Sequence, residues 1–185
     1  MRSVALLGAF WWVSLSPVPA SAQTPIACTC DVSKPPTLKQ RQCSLCAVTE
    51  KQPAYLLAFS IQDNSKAKPN RWLALPRNHT PGRMELLADL SPDVRRALWQ
   101  EAMARGQLLW GEHWGLAMNG MNTRTQCHLH IHIGRLIDGV EYGDFTVVDN
   151  LSQIPDPGEM GLWVHPADGK YHVHREMSAE NVLLR

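Results

Sequence analysis

The segment that most constrains the fold of this chain is residues 128–133, where histidine alternates with an aliphatic residue in the order HLHIHI. Successive side chains of an extended strand point to opposite faces, so this alternation predicts a β-strand. His128, His130 and His132 would share one face at intervals of ~6.6 Å. The three aliphatic side chains would face a hydrophobic core. The chain therefore needs a sheet that buries one face of this strand and presents imidazoles on the other.

Three imidazoles on one strand face could simply form a polar surface. Two interpretations give them a chemical role. Histidines two positions apart on a strand can bind a zinc ion when a third ligand lies beside them. Alternatively, the central imidazole is a nucleophile, and its neighbours hold the ring and the substrate. The nucleophile is favoured because no acidic residue that could act as a base lies between Glu112 and Asp138.

The loop before the histidines is rich in groups that bind phosphate. Arginine binds phosphate oxygens through paired hydrogen bonds, and hydroxyl groups can complete such a cage. A neutral imidazole that faces a phosphate cage suits phosphoryl or nucleotidyl transfer. The candidate residues in this loop are Asn119, Thr123, Arg124, Thr125 and Gln126.

With these residues the sequence resembles the histidine-triad (HIT) superfamily of nucleotide hydrolases and transferases. HLHIHI matches its signature of three histidines, each followed by an apolar residue. RWLALPRNH resembles the family's strand that ends in Pro with a His nearby, and LAMN precedes the triad where the family has an Asn. The resemblance covers about residues 43–136. The spacing of Asn119 from the triad is most similar to the bacterial CDP-diacylglycerol pyrophosphatase branch.

The resemblance implies that His130 attacks the α-phosphorus of a nucleoside diphosphate ester and that water then hydrolyses the nucleotidyl-histidine. For CDP-diacylglycerol the products would be CMP and phosphatidic acid. His132 would contact non-bridging phosphate oxygens, and Thr125 would lie near the leaving oxygen. Many HIT hydrolases have a histidine where this chain has Arg71. The implied catalytic residues are His128, His130, His132 and Thr125, and the implied substrate-binding residues are Asn119, Arg124, Gln126 and Arg71.

Two further functions are compatible with the same residues. The machinery would also serve a uridylyl- or adenylyl-type transferase or a dinucleotide hydrolase. A non-enzymatic alternative is an exported metal-binding protein that uses the triad as ligands. The hydrolase needs no cofactor, because a neutral imidazole is available near neutral pH without a strong base. Many HIT hydrolases form dimers, so the resemblance also allows a homodimer.

Five cysteines add a constraint on the N-terminal part of the chain. Cys28 and Cys30 form a C-x-C pair, and Cys43 and Cys46 form a C-x-x-C pair. In an oxidising compartment such clustering predicts disulfides between the two pairs and leaves Cys127 unpaired. The alternative is a structural zinc, which the resemblance to the galactose-1-phosphate uridylyltransferase branch would place on Cys43, Cys46, His79 and His128.

The N-terminus indicates export. Arg2 is followed by an apolar run and then by the small-x-small site Ala20-Ser21-Ala22, which predicts a secretory signal peptide over residues 1–22. We expect a periplasmic or membrane-associated protein, with contact to a membrane surface if the substrate is a lipid. The net charge of +1 and the absence of a Lys/Arg run argue against nucleic-acid binding.

The remaining patterns predict an α+β, HIT-like domain with an antiparallel sheet, one main helix and a cysteine-stapled N-terminal arm. We expect the arm over residues 23–52 and the catalytic domain, with a C-terminal hairpin extension, over residues 53–185. Strands are predicted at residues 55–60, 71–76, 114–119 and 145–150, and a helix is predicted to begin at Ser91-Pro92. Asp168-Gly169 predicts the turn of the last hairpin. That hairpin carries His165, His172 and His174, for which a polar face is favoured over a metal site.

Overall fold

A computed structural model describes residues 24–78 and 80–185 of the chain. The predicted signal peptide over residues 1–22 and the predicted zinc ligand His79 lie outside the described residues. Within the described part, a short helix and a main helix accompany one seven-stranded antiparallel sheet. The helices are α1 (Ser44–Thr49) and α2 (Pro92–Trp110), and the strands are β1 (Ala58–Gln62), β2 (Trp72–Pro76), β3 (Trp114–Met118), β4 (Ile131–Arg135), β5 (Phe145–Val148), β6 (Leu162–Ala167) and β7 (Lys170–Arg175).

The sheet has the order β1-β2-β4-β3-β6-β7-β5, which places β4 beside β2 and β3 near its middle. The predicted C-terminal hairpin is confirmed, because β6 pairs with β7, and β1 forms a further hairpin with β2. The second hairpin turns at Asp168 (φ 50°) and Gly169 (φ 74°). Two successive residues with positive φ are what a tight hairpin turn of matching twist requires, and the Asp-Gly sequence supplies them.

Helix α2 begins as the sequence predicts. The Ser91 hydroxyl accepts a hydrogen bond from the backbone N–H of Val94, and Pro92 occupies the first turn. The helix packs against β1–β4 through Leu98, Trp99 and Ala102, which are at most 1 % exposed. Leu109 lies one residue before the end of the helix, beyond this buried face, and is 40 % exposed.

The predicted burial of the aliphatic residues in HLHIHI is confirmed, but the strand that contains them is shorter than predicted. Leu129, Ile131 and Ile133 are fully buried in the main core. The paired strand begins only at Ile131, so His128 and His130 lie in the segment that leads into it. This segment bonds to other parts of the chain instead of a neighbouring strand. The N–H of Cys127 donates to the Gln42 carbonyl (2.8 Å).

The disulfides differ in part from the prediction. Cys30 pairs with Cys43, which joins the two cysteine pairs as expected, but Cys28 pairs with Cys127, 99 positions away. Among the described residues Cys46 is the free cysteine, and it is buried. The prediction was wrong for Cys127 because folding brings the loop before the triad against the arm, which local spacing does not reveal. The two disulfides indicate an oxidising, exported environment.

The predicted zinc set is not assembled in the described part of the chain. Cys43 is bonded to Cys30, so its sulfur is not available as a thiolate ligand. His128 is buried and points its Nε2 at the Pro76 carbonyl (2.8 Å). Neither helix of the described residues is long and apolar enough to cross a lipid bilayer.

Candidate active-site cleft

A cleft of about 430 Å³ lies beside the triad. Four separate parts of the chain form its walls: the arm with α1, the loop between β1 and β2, the triad with the loop before it, and the C-terminal segment. Five residues predicted from the sequence line it: Asn119, Thr125, Gln126, His130 and His132. The polar lining residues that were not predicted are Arg41, Ser44, Gln62, Asp63, Asn64, Ser65, Lys68 and Glu180.

His130 is held in one tautomer by the backbone. Its Nδ1–H donates to the carbonyl of His128 (2.9 Å), so Nε2 carries the lone pair. The side chain is buried, and this burial lowers the pKa of His130 to about 4, although the bond to the carbonyl acts in the opposite direction. At neutral pH the ring is therefore uncharged. A neutral imidazole with a fixed lone pair in a cleft can act as a nucleophile.

His132 lies against the edge of the His130 ring. The two ring centroids are 4.8 Å apart, and the rings are nearly perpendicular. Burial lowers the pKa of His132 well below its usual range, and the neighbouring His130 lowers it further. The Nδ1 of His132 lies 3.7 Å from Oε2 of Glu180. This carboxylate is the acidic neighbour that the sequence around the triad lacks.

His128 lies beneath the cleft rather than in its lining. Its Nε2–H donates to the Pro76 carbonyl (2.8 Å) and lies 3.3 Å from the Thr49 hydroxyl. Nδ1 faces Oε2 of Glu85 at 3.6 Å, and burial raises the pKa of Glu85 to about 7. The side chain is thus fixed on both sides, and its own carbonyl orients His130. His128 is therefore placed to position the ring of His130.

Glu180 is the centre of the charge network at the cleft. Its carboxylate accepts hydrogen bonds from Lys68, from Nη1 of Arg71 (3.0 Å) and from Nδ2 of Asn119 (3.1 Å). Burial alone would raise the pKa of Glu180, but the Lys68 ammonium and the hydrogen bond from Asn119 hold it well below its usual range. The residue is therefore an anion at neutral pH. It fixes Asn119, whose Oδ1 also accepts from the Glu180 N–H (3.0 Å).

The two arginines predicted to bind substrate lie outside the cleft lining. Arg71 is 2 % exposed and donates to the carbonyls of Leu183 (2.6 Å) and Leu184 (2.8 Å). It thereby fastens the C-terminal segment beside the sheet. Arg124 is buried and donates to the Glu85 carbonyl (2.6 Å), and burial lowers its pKa to about 10. The cationic residues in the cleft lining are instead Lys68 and Arg41.

Thr125 and Gln126 connect the triad loop to the arm. Thr125 is exposed in the cleft lining. Gln126 accepts from the Ser44 hydroxyl (3.1 Å) and donates to the Arg41 carbonyl (3.0 Å). Because the Cys28–Cys127 disulfide joins the same two parts of the chain, the arm forms a fixed wall of the cleft.

The residues that sequence reasoning missed come from parts of the chain that carry no local signal. Lys68 lies in the turn-rich loop between two strands, where lysine is common without a role. Glu180 follows the triad by about 50 positions and lies in the short 3₁₀ helix Ala179–Val182. Only the fold brings them to His132.

No family model matches the chain, and a search of curated proteins also gave no match.

Proposed function

We propose that the protein is an exported hydrolase of nucleoside diphosphate esters that acts through a covalent nucleotidyl-histidine on His130. The observation that supports this most strongly is the hydrogen bond from Nδ1–H of His130 to the His128 carbonyl (2.9 Å). It leaves the lone pair on Nε2 of a ring that lines the cleft. The low pKa of His130, about 4, keeps this lone pair unprotonated at neutral pH.

The proposed reaction has two displacements at one phosphorus. In the first, Nε2 of His130 attacks the α-phosphorus, a P–N bond forms, and the P–O bond to the β-phosphate breaks. The leaving group departs as a phosphate monoester. In the second, water attacks the same phosphorus, the P–N bond breaks, and the nucleoside monophosphate leaves while the water proton passes to solvent. The His128 carbonyl stabilises the ring while it carries the positive charge of the intermediate.

The groups around His130 suit a diphosphate. Lys68 and Arg41 bring positive charge, and the hydroxyls of Ser65 and Thr125 offer donors to phosphate oxygens. The Lys68 ammonium contacts Glu180 in this structure. We propose that a bound pyrophosphate competes for this ammonium. Positioning and charge stabilisation can then supply most of the catalysis, since an anhydride has a good leaving group.

CDP-diacylglycerol is the leading substrate, with CMP and phosphatidic acid as products. The resemblance of Asn119 and the triad to the CDP-diacylglycerol pyrophosphatase branch favours it. One wall of the cleft is apolar and is formed by Leu45, Val48, Ile61 and Leu73. Such a wall can contact a base or the apolar part of an ester. The same proposal places the protein in the periplasm or at a membrane surface.

The test is product analysis with two substrates and two variants. Purified protein is incubated with CDP-diacylglycerol in detergent micelles and, separately, with a water-soluble dinucleotide. We expect CMP and phosphatidic acid from the first substrate, with turnover lost in His130→Ala and retained in His113→Ala, which changes an exposed histidine. Turnover of the dinucleotide alone would contradict the lipid substrate, and turnover by His130→Ala would contradict the mechanism.

A further inference from the structure

A second group of histidines converges on one carboxylate at the other end of the sheet. His165 on β6 lies opposite His172 on β7, and His174 follows on the same face of β7. Glu141 approaches from the loop between β4 and β5. One nitrogen of each histidine and a carboxylate oxygen of Glu141 all lie within 4.8 Å of one another. We name these four residues the hairpin cluster.

Backbone carbonyls fix the tautomers of two of these histidines. The Nδ1–H of His165 donates to the Pro166 carbonyl (3.2 Å), and the Nδ1–H of His174 donates to the Tyr142 carbonyl (3.1 Å). The lone pair of each ring is therefore on Nε2. A carbonyl that accepts from the far nitrogen of the ring is the usual outer-shell partner of a metal-binding histidine.

The two Nε2 atoms point at an anion rather than at a donor. They lie 3.7 Å (His165) and 4.0 Å (His174) from Oε1 of Glu141. Both nitrogens are buried, and neither has a hydrogen-bond partner among the described residues. A lone pair that faces a carboxylate oxygen is electrostatically unfavourable, and buried polar atoms without partners are costly. A cation between the three atoms would turn each of these contacts into an attraction.

Aromatic side chains hold the rings in place. The Trp163 ring stacks on His174, with centroids 3.7 Å apart and planes 4° apart. Phe145 stacks on His172 with centroids 4.2 Å apart. His165 and His174 are at most 5 % exposed, whereas Glu141 is exposed. The aromatic rings thus hold the histidines rigidly on the buried side of the site. The Glu141 carboxylate lies on the solvent side, from which an ion can enter.

From this geometry we propose that the hairpin cluster binds one divalent transition-metal ion of the zinc class. The ligands are Nε2 of His165, Nε2 of His174, Nδ1 of His172 and a carboxylate oxygen of Glu141. Nδ1 of His172 contacts Oε1 of Glu141 directly in this structure, so binding inserts the ion into this contact.

Three imidazoles and one carboxylate form a nitrogen-rich tetrahedral set that suits zinc. Zinc binds such ligands at about 2.0–2.2 Å. In a tetrahedral site the ligand atoms then lie a little closer together than the Nε2 atoms of His165 and His174 lie to Oε1 of Glu141. A small movement of the exposed Glu141 side chain meets this requirement. Since the protein fills all four positions, the site is structural rather than catalytic. Its effect is to fasten the loop after β4, the strand that carries His132, to the C-terminal hairpin.

The test is metal binding by the purified protein after treatment with a chelator. Zn²⁺ is titrated by calorimetry, and Co²⁺ is titrated by visible absorption, which reports tetrahedral coordination. We expect one ion per chain and a rise in Tm with Zn²⁺. Stoichiometric binding should be lost in His165→Ala and His174→Ala and weakened in Glu141→Gln. It should be unchanged in His113→Ala and in His130→Ala, so the readout is independent of turnover.

Three results would overturn the proposal. The first is a wild-type protein that takes up neither ion at micromolar concentration. The second is binding that survives His165→Ala and Glu141→Gln, and the third is binding lost in His130→Ala, which would place the ion at the triad. If circular dichroism shows that the alanine variants are unfolded, Glu141→Gln decides, because it changes an exposed side chain. Unchanged zinc affinity in that variant would then count against the site.

Discussion

The two histidine clusters share a sequence pattern and differ in what the fold adds to it. Both contain histidines two positions apart, at residues 128–132 and at residues 172–174. The carboxylate beside the triad, Glu180, is held by Lys68 and Arg71. The carboxylate of the hairpin cluster, Glu141, has histidines as its ion-pair partners and no lysine or arginine within the described residues. Alternation places the rings, and distant residues set the charge around them. This difference is why we propose a phosphate ligand for the triad and a cation for the hairpin cluster.

The largest effect that should separate the clusters is on turnover. His130→Ala removes the proposed nucleophile, and we expect turnover to fall on the order of 10³-fold or more. His165→Ala removes a ring from the hairpin cluster and should leave the rate close to wild type. The measurement is the steady-state release of CMP from a CDP-ester by both variants. Equal losses in the two variants would mean that the clusters do not have separate roles.

The next largest effect should come from the disulfide that holds the arm against the triad. Replacing Cys28 and Cys127 together by Ser opens a loop of 99 positions, and we expect a loss of about 2–4 kcal/mol in the free energy of unfolding. Zinc binding by the hairpin cluster should not change, because among the described residues no disulfide links that hairpin to the arm. Denaturant titration measures the loss.

A matched control for the disulfide is Cys46→Ala, which removes the free buried cysteine of the same region. It should cost less than the double replacement, since it breaks no covalent link. A double variant as stable as wild type would contradict the role of the arm as a fixed wall of the cleft.

A smaller effect is expected from Lys68, one of the two cationic residues in the cleft lining. Lys68→Ala removes a charged donor, which contributes about 1.5–3 kcal/mol when it is engaged, so kcat/KM should fall about tenfold to a hundredfold. Lys66→Ala is the control, because Lys66 is exposed on the same loop and outside the cleft lining. If both variants lose the same activity, general surface charge rather than Lys68 is responsible.

The sequence predicted much of the fold but only part of the site. The helix start at Ser91, the turn at Asp168-Gly169 and the burial of Leu129 depend on neighbours in the sequence, which a pattern can show. Cys127 and Glu180 acquire their partners over long separations, which only tertiary packing decides. Arg71 shows the opposite case. Its position in the resemblance implied a contact with substrate, but the fold uses its donors to hold the C-terminal segment.

The smallest effect near neutral pH concerns protonation of His130. The pKa of His130 is about 4, below the ordinary 6.5, so the ring is neutral from pH 8 to about pH 5. We therefore expect kcat/KM to stay constant as the pH falls through 6.5, where an ordinary histidine would become protonated. The rate should drop only as pH falls through about 4, because protonation removes the lone pair.

The low pKa of His130 also makes the stability of the fold depend on pH. The folded state has the lower pKa, so the contribution of neutral His130 to stability is fully present above pH 6.5 and is lost as pH falls toward 4. A pH–rate profile checks the kinetic prediction, and return of each sample to pH 7 separates protonation from unfolding. A rate that halves near pH 6.5 would show that His130 is not shielded from water.

The most direct test of the central claim, that Nε2 of His130 is the nucleophile, is mass spectrometry after brief incubation with a CDP-ester and an alkaline quench. After reduction of the Cys28–Cys127 disulfide, tryptic cleavage after Arg124 and Arg135 isolates residues 125–135, which contain the whole triad. We predict that this peptide gains the mass of a cytidylyl group and that fragmentation places the group on His130. Rapid release of CMP without any adduct, or an adduct on another residue, would contradict the account.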